Sequence, residues 1–223
     1  VALPRLRRRY SVPILGVVRP GATAAALATR TRAVGVIATP ATVRSHAYFE
    51  AIKEEDPFVE VYEHATPELV PLVESGNVDG VDVDIALRRS LAPLLGQHLM
   101  SAQDGLGAAT DESFVFPMPR EAHIDTLLLG CTHYPLLADA IRRVVGGSIA
   151  VIDSASATAS ALASLLEVHE LGAPATAQGR HRMLTTGGVD RFRDTAVRLF
   201  GPAFAAVEQL APRASTDAVA TGR

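Results

Sequence analysis

Three short apolar runs, each followed by a turn and a helical pattern, constrain this chain more than any other feature. Val34 to Ala38 (VGVIA), Thr126 to Leu129 (TLLL) and Ile149 to Ile152 (IAVI) show no polar alternation. A strand buried on both faces reads that way, and such strands belong to parallel sheets covered by helices. Helical patterns lie between and after them. They run over Ala22 to Thr29, from a cap at Thr42 or Ser45 to about Ile52, over Glu68 to Ser75 and over Val83 to Leu95. Two more start at Pro135 and at Asp153-Ser154, the second Ala-rich and reaching about His169. Strand and helix in alternation predict parallel α/β architecture. Further strands are predicted at Val12 to Val18 (VPILGVV), Phe58 to Tyr62 and Arg182 to Thr186, and a further helix at Asp190 to Phe200. Val1 to Arg9 reads as a helix tail, Gln97 to His123 as a loop or surface insertion, Gly172 to Gly179 as a linker, and the segment after Pro212 as a disordered tail.

The chain has 223 residues, 48% of them hydrophobic, which suffices for a core and lies outside the disordered class. A formal charge of −3 makes no electrostatic case for nucleic acid or an anionic membrane. The basic run Arg5 to Arg9 is short and reads as a solvated helix end. No apolar stretch is long enough to span a bilayer, and the start lacks a signal-peptide core. The single cysteine excludes an internal disulfide framework and a multi-cysteine zinc site, and it fits a reducing cytoplasm. His46, His64, His98, His123, His169 and His181 show no metal-ligand spacing, and no dinucleotide or P-loop fingerprint occurs. That spacing of histidines predicts no metal site.

The cysteine sits where α/β proteins put chemistry. Leu127-Leu128-Leu129 ends a strand, Gly130 permits a sharp turn, and Pro135 suits a first helical turn, so Cys131 lies between a strand end and a helix start. Partial positive charge there lowers a thiol's pKa and favours a reactive thiolate. His133, two residues on, is within reach to orient or activate it. The ordinary alternative for Cys131 is a small buried hydrophobe, and for His133 a helix-terminus histidine. Thr39 and Thr42 follow another strand end, where they suit either a substrate carboxylate or ammonium group or helix capping. Glu74 is either a solvated helix-end carboxylate or an auxiliary of the site, and Asp153 with Ser154 reads as a helix cap.

Gly130-Cys131-Thr132-His133-Tyr134-Pro135-Leu136-Leu137 resembles the second catalytic cysteine motif of the glutamate racemases, in the cofactor-independent aspartate/glutamate racemase superfamily. Val34 to Thr42 with Ser45-His46-Ala47-Tyr48 is similar to that family's VGVIGTxAT…SxAY pattern, and Leu69 to Gly76 to its FVPLVE-type run. Val12 to Gly21 resembles the entry into its second domain, and Val151 to Ser154 the return into its first. Ala38 stands where the family usually has Gly, Thr66 where a Cys-Pro is common, and the 97–123 connection is longer than usual.

The resemblance implies two parallel-sheet α/β lobes with the site in the cleft between them. The second lobe would span 21–150, and 1–20 with 151–223 would be the remainder of a discontinuous first lobe lacking its leading strands. Val rather than Met at position 1 fits an absent amino-terminal part, which in the family carries an Asp-Ser strand and the first catalytic cysteine. Open sheet edges then predict poor solubility of the isolated chain. The implied chemistry interconverts L- and D-glutamate for peptidoglycan synthesis by proton transfer between two cysteines, one on each face of Cα. Cys131 and His133 would be catalytic, Thr132, His133, Thr39 and Thr42 would bind substrate, and Glu74 would assist. With one cysteine, the 223 residues alone are expected not to racemise. The implied partners are glutamate and, at full length, a second copy in a homodimer; neither nucleic acid nor membrane is implied. Other readings stay open: an aspartate or hydantoin racemase, a thiol hydrolase or amidotransferase, and a binding fragment without turnover. His133 favours glutamate, because aspartate-type relatives tend to carry Glu after Cys-Thr.

Overall fold

The computed structural model describes residues 3–95, 123–174, 176–177 and 182–211. Two units emerge, Val1–Gly172 and Ala173–Arg223. In the first, helices α1 (Leu3–Arg9) and α2 (Val18–Ala28) precede strand β1 (Ala33–Ala38). Then come α3 (Pro40–Arg44), α4 (Ala47–Glu55), β2 (Glu60–Ala65), α5 (Leu69–Glu74) and α6 (Val81–Leu95). Strand β3 (Thr126–Leu129) leads through a 3₁₀ turn, Tyr134–Leu137, into α7 (Ala138–Val145), followed by β4 (Ala150–Asp153) and α8 (Ser154–Val168).

All four strands are parallel, in the order β2-β1-β3-β4. The two central strands are buried along their whole length. That burial is why their sequences are continuously apolar: helices cover both faces. On one side Ala22 and Ala25 of α2 and Tyr48, Ala51 and Ile52 of α4 pack with Val34, Val36 and Leu128. Gly35 marks a close approach, since a Cβ there would stand 2.6 Å from the Ile124 side chain.

The second unit holds β5 (Met183–Thr185), α9 (Val189–Phe200), a 3₁₀ turn at Pro202–Phe204 and β6 (Val207–Gln209). Strands β5 and β6 pair in parallel, making a small βαβ unit. The sequence did not announce β6, because Val207-Glu208-Gln209 has no apolar run.

Three readings of the sequence need correction. Val12 to Val18 is not a strand: 11–17 is irregular and α2 begins at Val18. Val12 and Val17 are exposed, and the Ile14 carbonyl is taken by the Arg7 guanidinium at 3.0 and 3.1 Å rather than by a neighbouring strand. The helix predicted up to Ile52 is two helices, broken at His46, whose φ of 50° is left-handed. Strand β2 starts later than Phe58, because Asp56 accepts from the Phe58 N–H at 2.9 Å in a turn, and it continues to Ala65. Residues 97–122 of the predicted insertion and the tail after Pro212 lie outside the described residues.

Candidate functional site

Strand order fixes the place for a site. From β1 the chain adds β2 on one side and then β3 on the other, so the order reverses between β1 and β3. Crevices for ligands form outside the carboxyl ends of strands at such a reversal. Ile37 pairs with Leu129, so Thr39 and Cys131, each two residues further on, leave the sheet at the same end.

Cys131 is half-buried on the turn after β3. Burial pushes its thiol upward, while the backbone N–H groups of His133, Tyr134 and Thr132 pull it down; the net direction is up. The expectation of a depressed thiol pKa is therefore corrected. The N–H groups of the turn do face the sulfur, but desolvation of the anion outweighs them. The Sγ lies 3.8 Å from His133 Nδ1. On the far side of the ring, Nε2 lies 3.5 Å from Glu74 Oε1, at the end of α5. Cys131 and Glu74 thus flank the His133 ring, Glu74 being brought there from a distant part of the chain. The carboxylate on that side is placed to stabilise positive charge on the ring when the thiol proton is transferred to it.

Thr39 is the N-cap of α3, and Pro40 takes the position after it, where a missing N–H costs nothing. Thr39 Oγ1 accepts from the Thr42 N–H at 3.4 Å and lies 3.0 Å from Thr42 Oγ1. It is Thr39, not Thr42 or Ser45, that caps this helix; both threonines remain half-buried. Thr132 is exposed on the cysteine turn. Asp153 caps α8 by accepting from the N–H groups of Ala155 and Ser156.

Buried tyrosines brace the site, a role that no local pattern in the sequence marks. Tyr134 is fully buried; its hydroxyl donates to the Thr66 carbonyl at 2.9 Å. That spends its one proton, so the 2.7 Å contact with Thr66 Oγ1 runs from the threonine to the tyrosine. The Thr66 N–H donates to the Ala38 carbonyl at 3.0 Å. The carboxyl ends of β1, β2 and β3 are thereby tied together.

At the opposite, amino end of the strands, Asp125 accepts from Thr29 Oγ1, from the N–H groups of Arg30 and Thr31, and from Thr126 Oγ1 at 2.6 to 3.1 Å. Burial alone would raise its pKa, but these donors win and hold it at about 2. Elsewhere His46 Nδ1 meets Glu63 Oε2 at 2.7 Å, with Glu63 pushed upward by burial. Among the described residues no cluster of His, Cys, Asp and Glu suits a metal ion, and no helix is long and apolar enough to cross a membrane.

Comparison with known proteins gives a consistent result. Residues 1–162 match the sequence model described as Asp/Glu/Hydantoin racemase. A glutamate racemase of Geobacter metallireducens is 36% identical over 216 residues, which cover 97% of this chain and 71% of that protein. The crystal structure of a glutamate racemase isoform from Bacillus anthracis superposes with a TM-score of 0.75 at 33% identity, covering 93% of this chain and 68% of that one. A Francisella tularensis glutamate racemase in complex with D-glutamate gives 0.66 at 26% identity, covering 90% of this chain and 65% of that one.

Proposed function

The chain belongs to the Asp/Glu/hydantoin racemase family, and from that premise we propose that it works on one face of the Cα of glutamate within a racemase that interconverts the L and D forms. The observation that carries this is the His133 ring flanked by Cys131 Sγ and Glu74, at the sheet end where the strand order reverses.

Inversion at Cα needs a base on one face and an acid on the other. His133 Nδ1 takes the thiol proton, and Glu74 stabilises the resulting imidazolium through Nε2. The Cys131 thiolate then removes the Cα proton: the C–H bond breaks, an S–H bond forms, and the electron pair stays on the substrate. A group on the opposite face returns a proton to that pair. In the family resemblance it is a second cysteine, and Cys131 is the only cysteine among these 223 residues. In the reverse direction the Cys131 thiol is the donor. A thiol suits both duties because thiol and thiolate are both accessible near neutral pH once its surroundings are tuned. The backbone N–H groups of the Cys131 turn support the anion, and the raised resting pKa favours the thiol form needed for donation. Thr132 on this turn, with Thr39 and Thr42 on the neighbouring strand end, hydrogen-bonds the substrate's carboxylate and ammonium groups. The D-glutamate so made feeds peptidoglycan synthesis in the bacterial cytoplasm.

The test is expression of the whole reading frame in which these residues lie, with loss of optical activity from L- and D-glutamate followed by circular dichroism. Racemisation of glutamate, abolished by Cys131→Ser and absent with aspartate or a 5-substituted hydantoin, is the expected result. Turnover that survives Cys131→Ser, or a preference for aspartate, would refute the reading. The 223 residues alone are expected to show no inversion.

A further inference from the structure

We propose that Tyr48 and Ser154 are positioning residues for Cys131, holding the Leu129–Gly130 peptide from which the thiol is suspended. The Ser154 hydroxyl donates to the Leu129 carbonyl at 2.6 Å. Its only proton is then spent, so the 3.0 Å contact between Tyr48 and Ser154 has the tyrosine O–H as donor. The relay therefore has one direction, from Tyr48 through Ser154 to the Leu129 carbonyl. On the other edge of the same peptide, the Gly130 N–H donates to the Ile37 carbonyl at 2.8 Å. That peptide plane is pinned at both its polar atoms, immediately before Cys131.

The third restraint is steric. Gly130 lies so close to the Tyr48 ring that a Cβ on it would stand 2.7 Å from Tyr48 Cε2 and 3.1 Å from the Ile37 carbonyl oxygen. The ring thus seats the backbone at the residue before the cysteine. Tyr48 and Ser154 are both buried, on α4 and at the start of α8. Gly21 of α2 keeps the space around Ser154 tight, since a Cβ there would come within 3.1 Å of the Ser154 hydroxyl. Neither Tyr48 nor Ser154 need touch a substrate. They set the direction of the Cα–Cβ bond of Cys131, and so the angle between the thiol and both the turn's N–H groups and His133. Proton transfer at carbon is steep in that angle.

This inference rests on Cys131 being the acid–base group, but its test does not depend on turnover. The single cysteine lets the rate of carboxamidomethylation by iodoacetamide be read by intact mass across pH 7 to 10. Tyr48→Phe and Ser154→Ala each remove one oxygen and keep the packing, and each tests one end of the relay. With the peptide freed, the turn's N–H groups lose their aim at the thiolate. The midpoint of the pH profile should rise, and the rate at a fixed pH below it should fall about three- to tenfold. Tyr62→Phe, which removes a hydroxyl bonded to Glu60 elsewhere in the sheet, should leave the profile unchanged. Profiles for Tyr48→Phe and Ser154→Ala that coincide with the parent, or a Tyr62→Phe profile that moves with them, would overturn the proposal. A failure of the whole enzyme to racemise glutamate would refute the functional reading through a separate measurement.

Discussion

Replacing Asp125 tests whether the sheet is anchored as its geometry implies. The carboxylate takes two hydroxyl donors, Thr29 and Thr126, and the backbone N–H groups of Arg30 and Thr31, binding the chain before β1 to the start of β3. Asp125→Ala removes the acceptor of all four donors, of which Thr126 is buried, Thr29 half-buried, and Arg30 and Thr31 exposed and open to water. Hydrogen bonds to a charged group contribute about 1.5–3 kcal/mol each and do not add fully, so a loss of about 3–4 kcal/mol is expected. For a chain of this size that corresponds to a fall of roughly 6–16 °C in Tm. Asp125→Asn should cost less, about 1–2 kcal/mol, because the amide oxygen can still face the N–H groups of Arg30 and Thr31 while its NH₂ meets the hydroxyls. Acid supplies a second check. The folded pKa, at about 2, lies below the ordinary value of 3.8. The ionised carboxylate therefore stabilises the fold above about pH 4 and loses that effect as pH falls toward 2. Once solvent screening is allowed for, the effect is about 1–2 kcal/mol. Urea unfolding followed by far-UV circular dichroism, at pH steps from 7 to 2.5, measures both. The gap between parent and Asp125→Asn should narrow from about pH 4 down to pH 2.5 with the m-value unchanged. An Asp125→Ala variant as stable as the parent, or a gap to Asn that does not narrow below about pH 4, would refute the reasoning.

Three further outcomes are expected. Tyr134→Phe removes the partner of both the Thr66 hydroxyl and carbonyl and should cost about 1–3 kcal/mol in urea unfolding; a neutral result would mean these strand ends are not tied there. Gly35→Ala forces a methyl to 2.6 Å from Ile124 and 3.4 Å from Leu127 and Leu94, and should cost about 1–3 kcal/mol by overpacking, read as a lower Tm. The alkylation midpoint of Cys131 in the parent chain should lie above that of free cysteine measured in parallel, since burial is the larger influence on the thiol; a midpoint below it would show the turn's N–H groups to be dominant.

The sequence determined the kinds of element and where the chemistry hangs. Short apolar runs bounded by turn signals suit strands covered on both faces, so β1 and β3 were legible from local sequence. A cysteine between a leucine run, a glycine and a proline could be placed at a strand end for the same local reason, and Asp153 was legible as a cap. The failures were local readings overridden by partners. Val12 to Val18 has strand-like residues, but a strand needs a neighbour, and α2 and Arg7 claim this segment instead. What only the tertiary structure decided is which distant groups meet. Strand order β2-β1-β3-β4 brings the ends of β1 and β3 side by side, and Glu74 reaches His133 only because of it. Tyr48 and Ser154, 106 residues apart, converge on one peptide beside Cys131. The thiol's upward shift likewise depends on how deeply the folded chain covers the sulfur, a property of packing rather than of the motif. Periodicity and turn chemistry act over a few residues, so they are written in the sequence; hydrogen bonds and burial between remote segments exist only once the sheet has set their spacing.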